Sequence, residues 1–319
     1  MATEHGPQAY YQTAYPEHDT SRDLERVFAS VKQISFTAEY RTYVFRPEAG
    51  MTEADVRAGR FRARADSSFG ESLSKAGTAT IIARSGTRVT LLTTDHVVHL
   101  PELRISYYDE GPGRNRSEGP RVVASASVLT SERGTLVPHP GRGPLQVLAR
   151  DEQNDLALLG MELGTLSDTT LFPALALRTG NPRRLSWGSF LYVLGYPAGY
   201  RMVTRSIVSN PNWNGRGGFI SDGLWNEGIS GGLILAVRSE TGRLEPVGLA
   251  RAGAATSELR LQPDTLSTAA GAETHRYQGM LYVESVLRIQ YGITLPVSMT
   301  AVTDFIDRTR STLRARGYF

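Results

Sequence analysis

Gly228-Ile229-Ser230-Gly231-Gly232-Leu233-Ile234-Leu235-Ala236-Val237 is the stretch that decides the fold class of this chain. Its first five residues set one serine among three glycines, which permit a tight turn that points two backbone N–H groups to one spot. The five residues that follow are apolar and are typical of a buried strand. A serine turn that leads into a strand favours an all-β fold, although such a turn taken alone is more often a plain glycine-rich loop.

A serine turn of this kind also occurs in α/β-hydrolases. In that fold a helix follows the serine, and an acid and then a histidine come later in the chain. Here a strand follows, and the one histidine downstream of Ser230 is His275, which lies in a polar stretch. The α/β-hydrolase alternative is therefore rejected.

Two residues upstream of the serine complete a candidate catalytic set. His96 comes just after the apolar run Leu91-Leu92, and Asp155 comes directly before Leu156-Ala157-Leu158-Leu159. Each has an ordinary explanation, as a structural histidine and as a strand boundary. An acid at the mouth of an apolar strand nevertheless lies in a low-dielectric setting, where a carboxylate orients a histidine well. The order histidine, aspartate, serine, each beside a strand, points to nucleophilic catalysis.

The pattern of apolar and polar residues changes at Ala76. From there onward short apolar runs recur between turn signals, which is typical of a β-sandwich or a pair of barrels, and the chain ends in a helix opened by Pro296 and Ser298. The earlier part is predicted to contain an irregular arm (1–19), a helix (20–34), a strand (35–46) and a charged connector (47–75). The sequence thus predicts an N-terminal extension, residues 1–75, followed by one β-rich domain, residues 76–319.

The composition excludes several kinds of site. The 319 residues include no cysteine, so disulfides, thiol nucleophiles and zinc–thiolate centres are ruled out. A net charge of +3 with scattered arginines gives no sign of nucleic-acid binding. No apolar run approaches the ~18 residues of a membrane helix, and the polar first residues lack a secretory-signal pattern. We therefore expect neither a nucleic-acid partner nor membrane insertion.

A series of short motifs resembles, in the same order, the HtrA-type trypsin-like serine proteases. Residues 77–82 (GTATII) are similar to their G-S-G-F-I-I, residues 92–98 (LTTDHVV) to L-T-N-N-H-V-V, residues 154–159 (NDLALL) to T-D-L-A-L-L, residues 194–199 (LGYPAG) to I-G-N-P-F-G, residues 203–209 (VTRSIVS) to V-T-S-G-I-V-S, and residues 292–296 (GITLP) to G-F-A-I-P. The similarity covers about residues 76–310, and the ordered series is specific although each motif is short.

The resemblance implies a chymotrypsin-like pair of antiparallel β-barrels with the active site in the cleft between them, and hydrolysis without a metal or cofactor. His96 would be the general base toward Ser230, and Asp155 would hold the tautomer of His96. The backbone N–H groups of Gly228 and Ser230 would form the oxyanion hole. Many relatives also self-associate through N-terminal segments, so residues 1–75 are a candidate for homo-oligomer contacts.

Substrate contacts follow from the same resemblance. The segment Leu249-Ala250-Arg251-Ala252 matches the strand that pairs with the substrate backbone. The residue six before the nucleophile, Leu224, would form the base of the primary pocket, with Trp225 beside it. An apolar base cannot pair a lysine or arginine head, so cleavage after apolar residues is expected.

The chain departs from the family pattern in the serine turn. Ile229 stands where HtrA-type proteases carry asparagine, and Leu233 replaces the usual proline. Ile229 cannot hydrogen-bond through its side chain, so the turn is either held by packing or mobile. Because only packing of Ile229 can oppose a flip of the peptide at Gly228, we expect low basal activity in the free protein and a higher kcat/KM in Ile229→Asn. Two polar stretches, 108–145 and 253–279, are longer than a minimal protease needs and are interpreted as surface loops.

These observations lead to a serine endopeptidase acting on proteins or peptides. The alternative is a non-catalytic protein of the same fold that binds peptides in its cleft, which Ile229 alone favours. A third interpretation, an interaction scaffold led by the tyrosines of the N-terminal arm, rests on stray aromatics and is weaker. The resemblance also suggests an extracytoplasmic location, periplasmic or secreted.

Overall fold

The computed structural model describes residues 9–16, 19–108, 121–137, 143–164, 171–251, 253–263 and 281–319. Most of its regular structure is antiparallel β, arranged in a sheet of seven strands and a sheet of eight. A long helix closes the chain, and its first turn is capped by the Ser298 hydroxyl, which accepts from the N–H of Thr300. The all-β, double-barrel fold predicted from the sequence, with its C-terminal helix, is therefore confirmed.

The first barrel contains strands β1 to β7. Their bounds are Val31–Val44 (β1), Ser67–Ser85 (β2), Arg88–Thr93 (β3), Leu103–Tyr107 (β4), Val123–Val137 (β5), Gln146–Asp151 (β6) and Leu156–Glu162 (β7), in the order β4-β5-β1-β2-β3-β7-β6. Three short helices accompany them: α1 (Ser21–Phe28), α2 (Glu53–Arg57) and α3 (Asp95–Val98). Alternate residues of β1, such as Ile34, Phe36 and Tyr40, are buried in the core, as expected for a strand with one buried face.

The second barrel contains the remaining strands. Their bounds are Phe190–Gly195 (β8), Met202–Asn210 (β9), Ile220–Ser221 (β10), Leu233–Val237 (β11), Leu244–Leu249 (β12), Gly253–Pro263 (β13), Leu281–Thr294 (β14) and Val297–Ser298 (β15), in the order β13-β14-β10-β9-β8-β11-β12-β15. The final helix, α4, spans Met299–Ala315.

The central strands of the second barrel are buried on both faces. On β8, Leu191 and Val193 pack inside the barrel, whereas Leu194 packs in a second cluster that includes Leu158 of β7 and Phe305 of α4. That second cluster therefore joins the two barrels and the C-terminal helix. This double burial explains why β8 and β11 are apolar at every position instead of alternating.

The N-terminal part of the chain differs from its prediction in detail. Helix α1 ends at Phe28, and residues 31–44 form β1 instead of continuing the helix. Val31 and Ile34 fit helical spacing, but they pair with Thr80 and Gly77 of β2, and this tertiary pairing overrides the local pattern. The charged connector is also partly regular, because β2 begins at Ser67. The division into an N-terminal extension, 1–75, and a domain, 76–319, stays a prediction. Strand β1 belongs to the first of these parts but lies inside the seven-stranded sheet.

The two polar stretches interpreted as loops contain strands, which corrects that interpretation. Residues 123–137 form β5, which pairs with β1 and β4, and residues 253–263 form β13, which pairs with β14. Strand β13 lies at the edge of its sheet. Antiparallel strands can leave one face to solvent, so their sequences lack the apolar runs by which the other strands were predicted.

The N-terminal arm lies against the second barrel. Tyr11 is fully buried, and its hydroxyl donates to Glu245 at 2.9 Å. The N–H of Gln12 donates to the carbonyl of Val237, and the N–H of Phe190 donates back to Gln12, both at 2.8 Å. These contacts give Tyr11 and the residue after it a structural role, whereas Tyr15 is exposed.

Candidate active site

His96 lies on α3, the single turn that follows β3. Its neighbours Val97 and Val98 are buried in the core of the first barrel, so apolar packing anchors the turn on one side. Lys75 on β2 donates from Nζ to the carbonyl oxygens of His96 and His99, at 2.8 and 2.9 Å. The turn is thus fixed from both sides, while the His96 side chain remains 41% exposed.

Asp155, directly before β7, holds His96 at two points. Its Oδ1 accepts the backbone N–H of His96 at 2.8 Å, and its Oδ2 lies 2.8 Å from Nδ1 of the ring. Asp155 has a φ of 54°, in the left-handed region that aspartate tolerates better than most side chains. The first contact fixes the turn that carries the histidine, and the second fixes the orientation of its ring.

The carboxylate sets the proton on the histidine ring. Burial raises the pKa of Asp155, but hydrogen bonds from the ring and backbone of His96, together with the charges of His96 and Arg251, lower the pKa below its ordinary value overall. An ionised carboxylate can only accept hydrogen bonds, so the network assigns the proton to Nδ1 and leaves Nε2 as the basic nitrogen. Within the described residues, Nε2 has no hydrogen-bond partner and is free to take a proton.

Ser230 lies in the turn before β11, between two glycines with left-handed backbones. The φ of Gly228 is 93° and that of Gly231 is 85°. A Cβ at Gly228 would come within 2.4 Å of the carbonyl oxygen of Tyr196, so this position requires glycine for space as well as for backbone angle. Among the described residues, the N–H groups of Gly228 and Ser230 donate to no protein acceptor, whereas those of Ile229 and Gly231 do. Two unused donors beside a serine are what an oxyanion hole requires.

Both carbonyls around Gly228 are held, which fixes the direction of its N–H. The carbonyl of Glu227 accepts from the N–H of Ala198 at 2.7 Å, and the carbonyl of Gly228 accepts from Oγ1 of Thr78 at 2.8 Å. Because a trans peptide points its N–H opposite to its C=O, the N–H of Gly228 faces away from Ala198. Thr78 also donates its own N–H to the carbonyl of Ser230 at 2.8 Å. A flip of the Glu227–Gly228 peptide would break the bond to Ala198.

The structure joins two of the three predicted catalytic residues directly. His96 and Asp155 are in direct contact, but within the described chain no hydrogen bond joins His96 to Ser230. Gly77 separates the two parts of the site, because a Cβ there would lie 2.6 Å from Val97 and 3.2 Å from the carbonyl oxygen of Ser230. Catalytic hydrogen bonds are often long before substrate binds, so the missing hydrogen bond between His96 and Ser230 is compatible with a working triad.

Ile229 is held by packing, which was one of the two possibilities left open by the sequence. Its side chain is 3% exposed and belongs to the apolar cluster inside the second barrel, together with Val193 and Trp225. Its Cδ1 atom packs over Gly195, where an added Cβ would approach it to 2.7 Å. An isoleucine here replaces a polar anchor by an apolar one.

The burial of Ile229 argues against the expectation that Ile229→Asn raises activity, and we expect the variant to destabilise the fold instead. The amide would be buried among apolar side chains, at a cost of about 3 kcal/mol in unfolding free energy. Thermal unfolding followed by circular dichroism measures this loss, with Ile229→Val as a matched control that should cost about 1 kcal/mol. A variant that melts like the wild type and has a higher kcat/KM would show instead that the turn is mobile.

The prediction for the primary pocket needs correction. The Leu224 side chain is 66% exposed, whereas the base of a pocket is enclosed by its walls. Trp225 is 5% exposed and lies in the core of the second barrel. Successive side chains of an extended segment point to opposite sides, and burial of the larger Trp225 therefore turns Leu224 outward.

The segment predicted to pair with substrate lies beside the serine turn. Leu249 and Ala250 are fully buried, and Ala250 exchanges backbone hydrogen bonds of 2.8 and 2.7 Å with Gly231 and Gly232. Arg251 is exposed and reaches back to the carboxylate of Asp155. Ala252 lies outside the described residues. The backbone of this segment is thus registered against the serine turn, as a substrate-pairing strand must be.

Sequence reasoning missed the residues that support the site. Thr78 and Lys75 both lie on β2, close to where the first barrel meets the serine turn. Thr78 is part of the motif compared with the protease family, but nothing in its local pattern indicates that its hydroxyl crosses to Gly228. The closeness of Thr78 to the apolar run Ile81-Ile82 is the one signal that could have drawn attention to it, because a buried hydroxyl needs a partner.

Comparison with known proteins places the chain in a family. The family model for the trypsin-like peptidase domain matches residues 77–244, which is more than half of the chain. Two similar solved structures are the HtrA-type protease AlgW with a tripeptide, 15% identical with a TM-score of 0.45, and a serine endoprotease from Yersinia pestis, 14% identical with a TM-score of 0.43. They cover 92% and 91% of this chain, which spans 64% and 66% of theirs. Among curated proteins no match is found. By its family match, the chain belongs to the trypsin-like peptidase domain family.

Proposed function

We propose that the protein is a serine endopeptidase that hydrolyses peptide bonds through His96, Asp155 and Ser230. The observation that carries the proposal is the histidine with its proton fixed on Nδ1 by Asp155, set beside a serine turn with two unused N–H donors. A structural histidine has no need of a free Nε2, and a plain glycine turn has no need of two unused N–H donors beside its serine.

The mechanism follows from these atoms. Nε2 of His96 takes the proton of Ser230 as its Oγ attacks the scissile carbonyl carbon, and an imidazolium forms beside the ionised Asp155. The carbonyl oxygen gains negative charge, which the N–H groups of Gly228 and Ser230 stabilise. His96 then returns its proton to the leaving amine, and water repeats the sequence in reverse on the acyl-enzyme. Every step uses groups of this chain.

A peptide substrate would lie along the segment 249–252, with main-chain hydrogen bonds supplying affinity. We further propose cleavage after apolar residues. This proposal rests on the sequence alone, because no acidic side chain that could pair a lysine or arginine head occupies position 224 or 225.

The second candidate function is peptide binding without catalysis. The observation that favours it is the lack of a hydrogen bond between His96 and Ser230 among the described residues. A protein of this kind would retain the cleft and the pairing segment, but its serine would not be activated toward electrophiles.

Peptidyl phosphonate probes test both proposals in one experiment. We expect a probe with leucine or phenylalanine before the phosphorus to add one phosphonyl group to Ser230, because His96 activates that hydroxyl. A matched probe with arginine should react much more slowly. Intact-mass measurement reads the adduct, and Ser230→Ala serves as the control that must remain unlabelled. Absence of any adduct would favour the non-catalytic function, and faster labelling by the arginine probe would overturn the apolar preference alone.

The finer cellular assignments are also proposals. The HtrA-type resemblance supports an extracytoplasmic location and self-association through the N-terminal extension. Within the described residues, none of the helices combines the length and apolar character that crossing a membrane requires.

A further inference from the structure

Arg251 makes an ion pair with the acid of the candidate triad. Its Nε lies 3.1 Å from Oδ2 of Asp155, and the same oxygen lies 2.8 Å from Nδ1 of His96. The Asp155 side chain is 10% exposed and that of Arg251 is 47% exposed, so the guanidinium covers the carboxylate from the solvent side. One carboxylate oxygen is therefore shared between the histidine and a permanent positive charge.

The position of Arg251 is fixed by the second barrel. It follows Ala250, whose N–H and carbonyl bond to Gly232 and Gly231 in the serine turn. Asp155 and His96 belong to the first barrel. The ion pair thus spans the cleft and ties the acid to the strand end that is registered against the serine turn.

We propose that Arg251 is a positioning residue that holds Asp155 across the cleft and reduces the negative charge that its carboxylate presents to His96. This inference rests on the proposed function of the site. A bare carboxylate would stabilise the protonated, inactive imidazole strongly. A guanidinium on the same oxygen offsets part of that stabilisation, so His96 remains an active base at lower pH than it otherwise would.

The other charged groups that face the imidazole are already paired. Asp95, its neighbour on α3, is bound by Arg150 through two contacts of 2.6 and 2.9 Å. Arg150 also contacts Nδ1 of His99 and pairs with Glu152. From β2, Lys75 donates to the backbone carbonyls of His96 and His99, and burial lowers the pKa of its ammonium group. A change at residue 251 leaves all of these contacts in place.

The test compares Arg251→Gln with Arg251→Lys in the full chain. In the glutamine variant, we expect the acid limb of the kcat/KM profile to move to higher pH by about half to one unit, because the charge opposing Asp155 is lost. The lysine variant keeps the charge, so its acid limb should stay at the wild-type pH, whatever the height of its kcat/KM profile. Arg243→Gln is a matched control, because it removes an exposed arginine at the opposite end of β12, about 20 Å along the strand.

A second measurement does not depend on activity. In the Ser230→Ala background, nuclear magnetic resonance follows the pH at which the His96 ring signals change, and Arg251→Gln should raise this midpoint by the same amount. A raised midpoint, together with a wild-type protein that cleaves nothing, would support the inference and reject the peptidase function. An unchanged midpoint in the glutamine variant, with its thermal stability intact, would overturn the inference. An equal shift in the lysine variant would also overturn it, because geometry and not charge would then be responsible.

Discussion

Ser230→Ala should lower kcat by about 10⁶-fold while leaving the fold unchanged. The serine oxygen is the attacking atom, and a methyl group cannot replace it. Ser230 is half-buried, and within the described residues its hydroxyl has no hydrogen-bond partner, so its removal leaves no buried polar group unpaired. We expect the unfolding free energy to change by less than about 0.5 kcal/mol.

The measurement is cleavage of unfolded casein by wild type and variant, with melting curves recorded on the same preparations. Ser239→Ala is a suitable control, since this half-buried serine follows β11 at the far end from the site and should cleave as the wild type does. Residual rates of ~10³ over water are compatible with the assignment, because the oxyanion hole and binding remain. Casein cleavage by Ser230→Ala at the wild-type rate would remove Ser230 from the mechanism.

Asp155→Asn should lower kcat by about 10⁴-fold through the wrong histidine tautomer. Asparagine has one acceptor oxygen, and the backbone N–H of His96 already requires one at this position. The amide nitrogen would then face Nδ1 as a donor, which forces the ring proton onto Nε2. A protonated Nε2 cannot accept the proton of Ser230. Asparagine also tolerates the left-handed backbone at residue 155, so the turn itself survives.

The loss of stability in Asp155→Asn should depend on pH in a defined direction. Because the pKa of Asp155 is lowered in the folded protein, its ionised form adds stability at neutral pH, and this stability is lost as pH falls through the folded value. The gap in melting temperature between wild type and Asp155→Asn should therefore be largest near neutral pH and narrow in acid. Activity assays at neutral pH and melting curves from pH 3 to 7 measure both effects. Full activity in the variant, or a gap that widens in acid, would contradict the geometry.

The fold class was predictable because its decisive features are local. The glycines around Ser230 followed by an apolar strand, and the residues beside His96 and Asp155, each occupy ten positions of sequence or fewer. The family match over residues 77–244 and the contact between His96 and Asp155 agree with that prediction. Local patterns suffice where turn chemistry and strand burial operate within one segment.

The features that were missed depend on distant partners. Val31 and Ile34 follow helical spacing and become a strand because β2 pairs with them. Strand β13 lies at the edge of its sheet and has no apolar run, because its pairing with β14 holds it in the sheet. The outward direction of Leu224 is set by Trp225, which fills the core of the second barrel. No short window of sequence contains both partners of β1 or of β13, or the β8 residues whose core cluster buries Trp225.

The reach of Thr78 into the serine turn also has a consequence for when the site is assembled. Its hydroxyl bonds to a residue 150 positions further along the chain, and its N–H bonds to Ser230 itself. Contacts between such distant residues form late in folding, because a long loop must close first. During synthesis the first barrel emerges well before the serine turn, so the nascent chain holds a histidine and an acid but no oriented nucleophile. The order of the sequence therefore delays assembly of the proposed catalytic site until both barrels are complete.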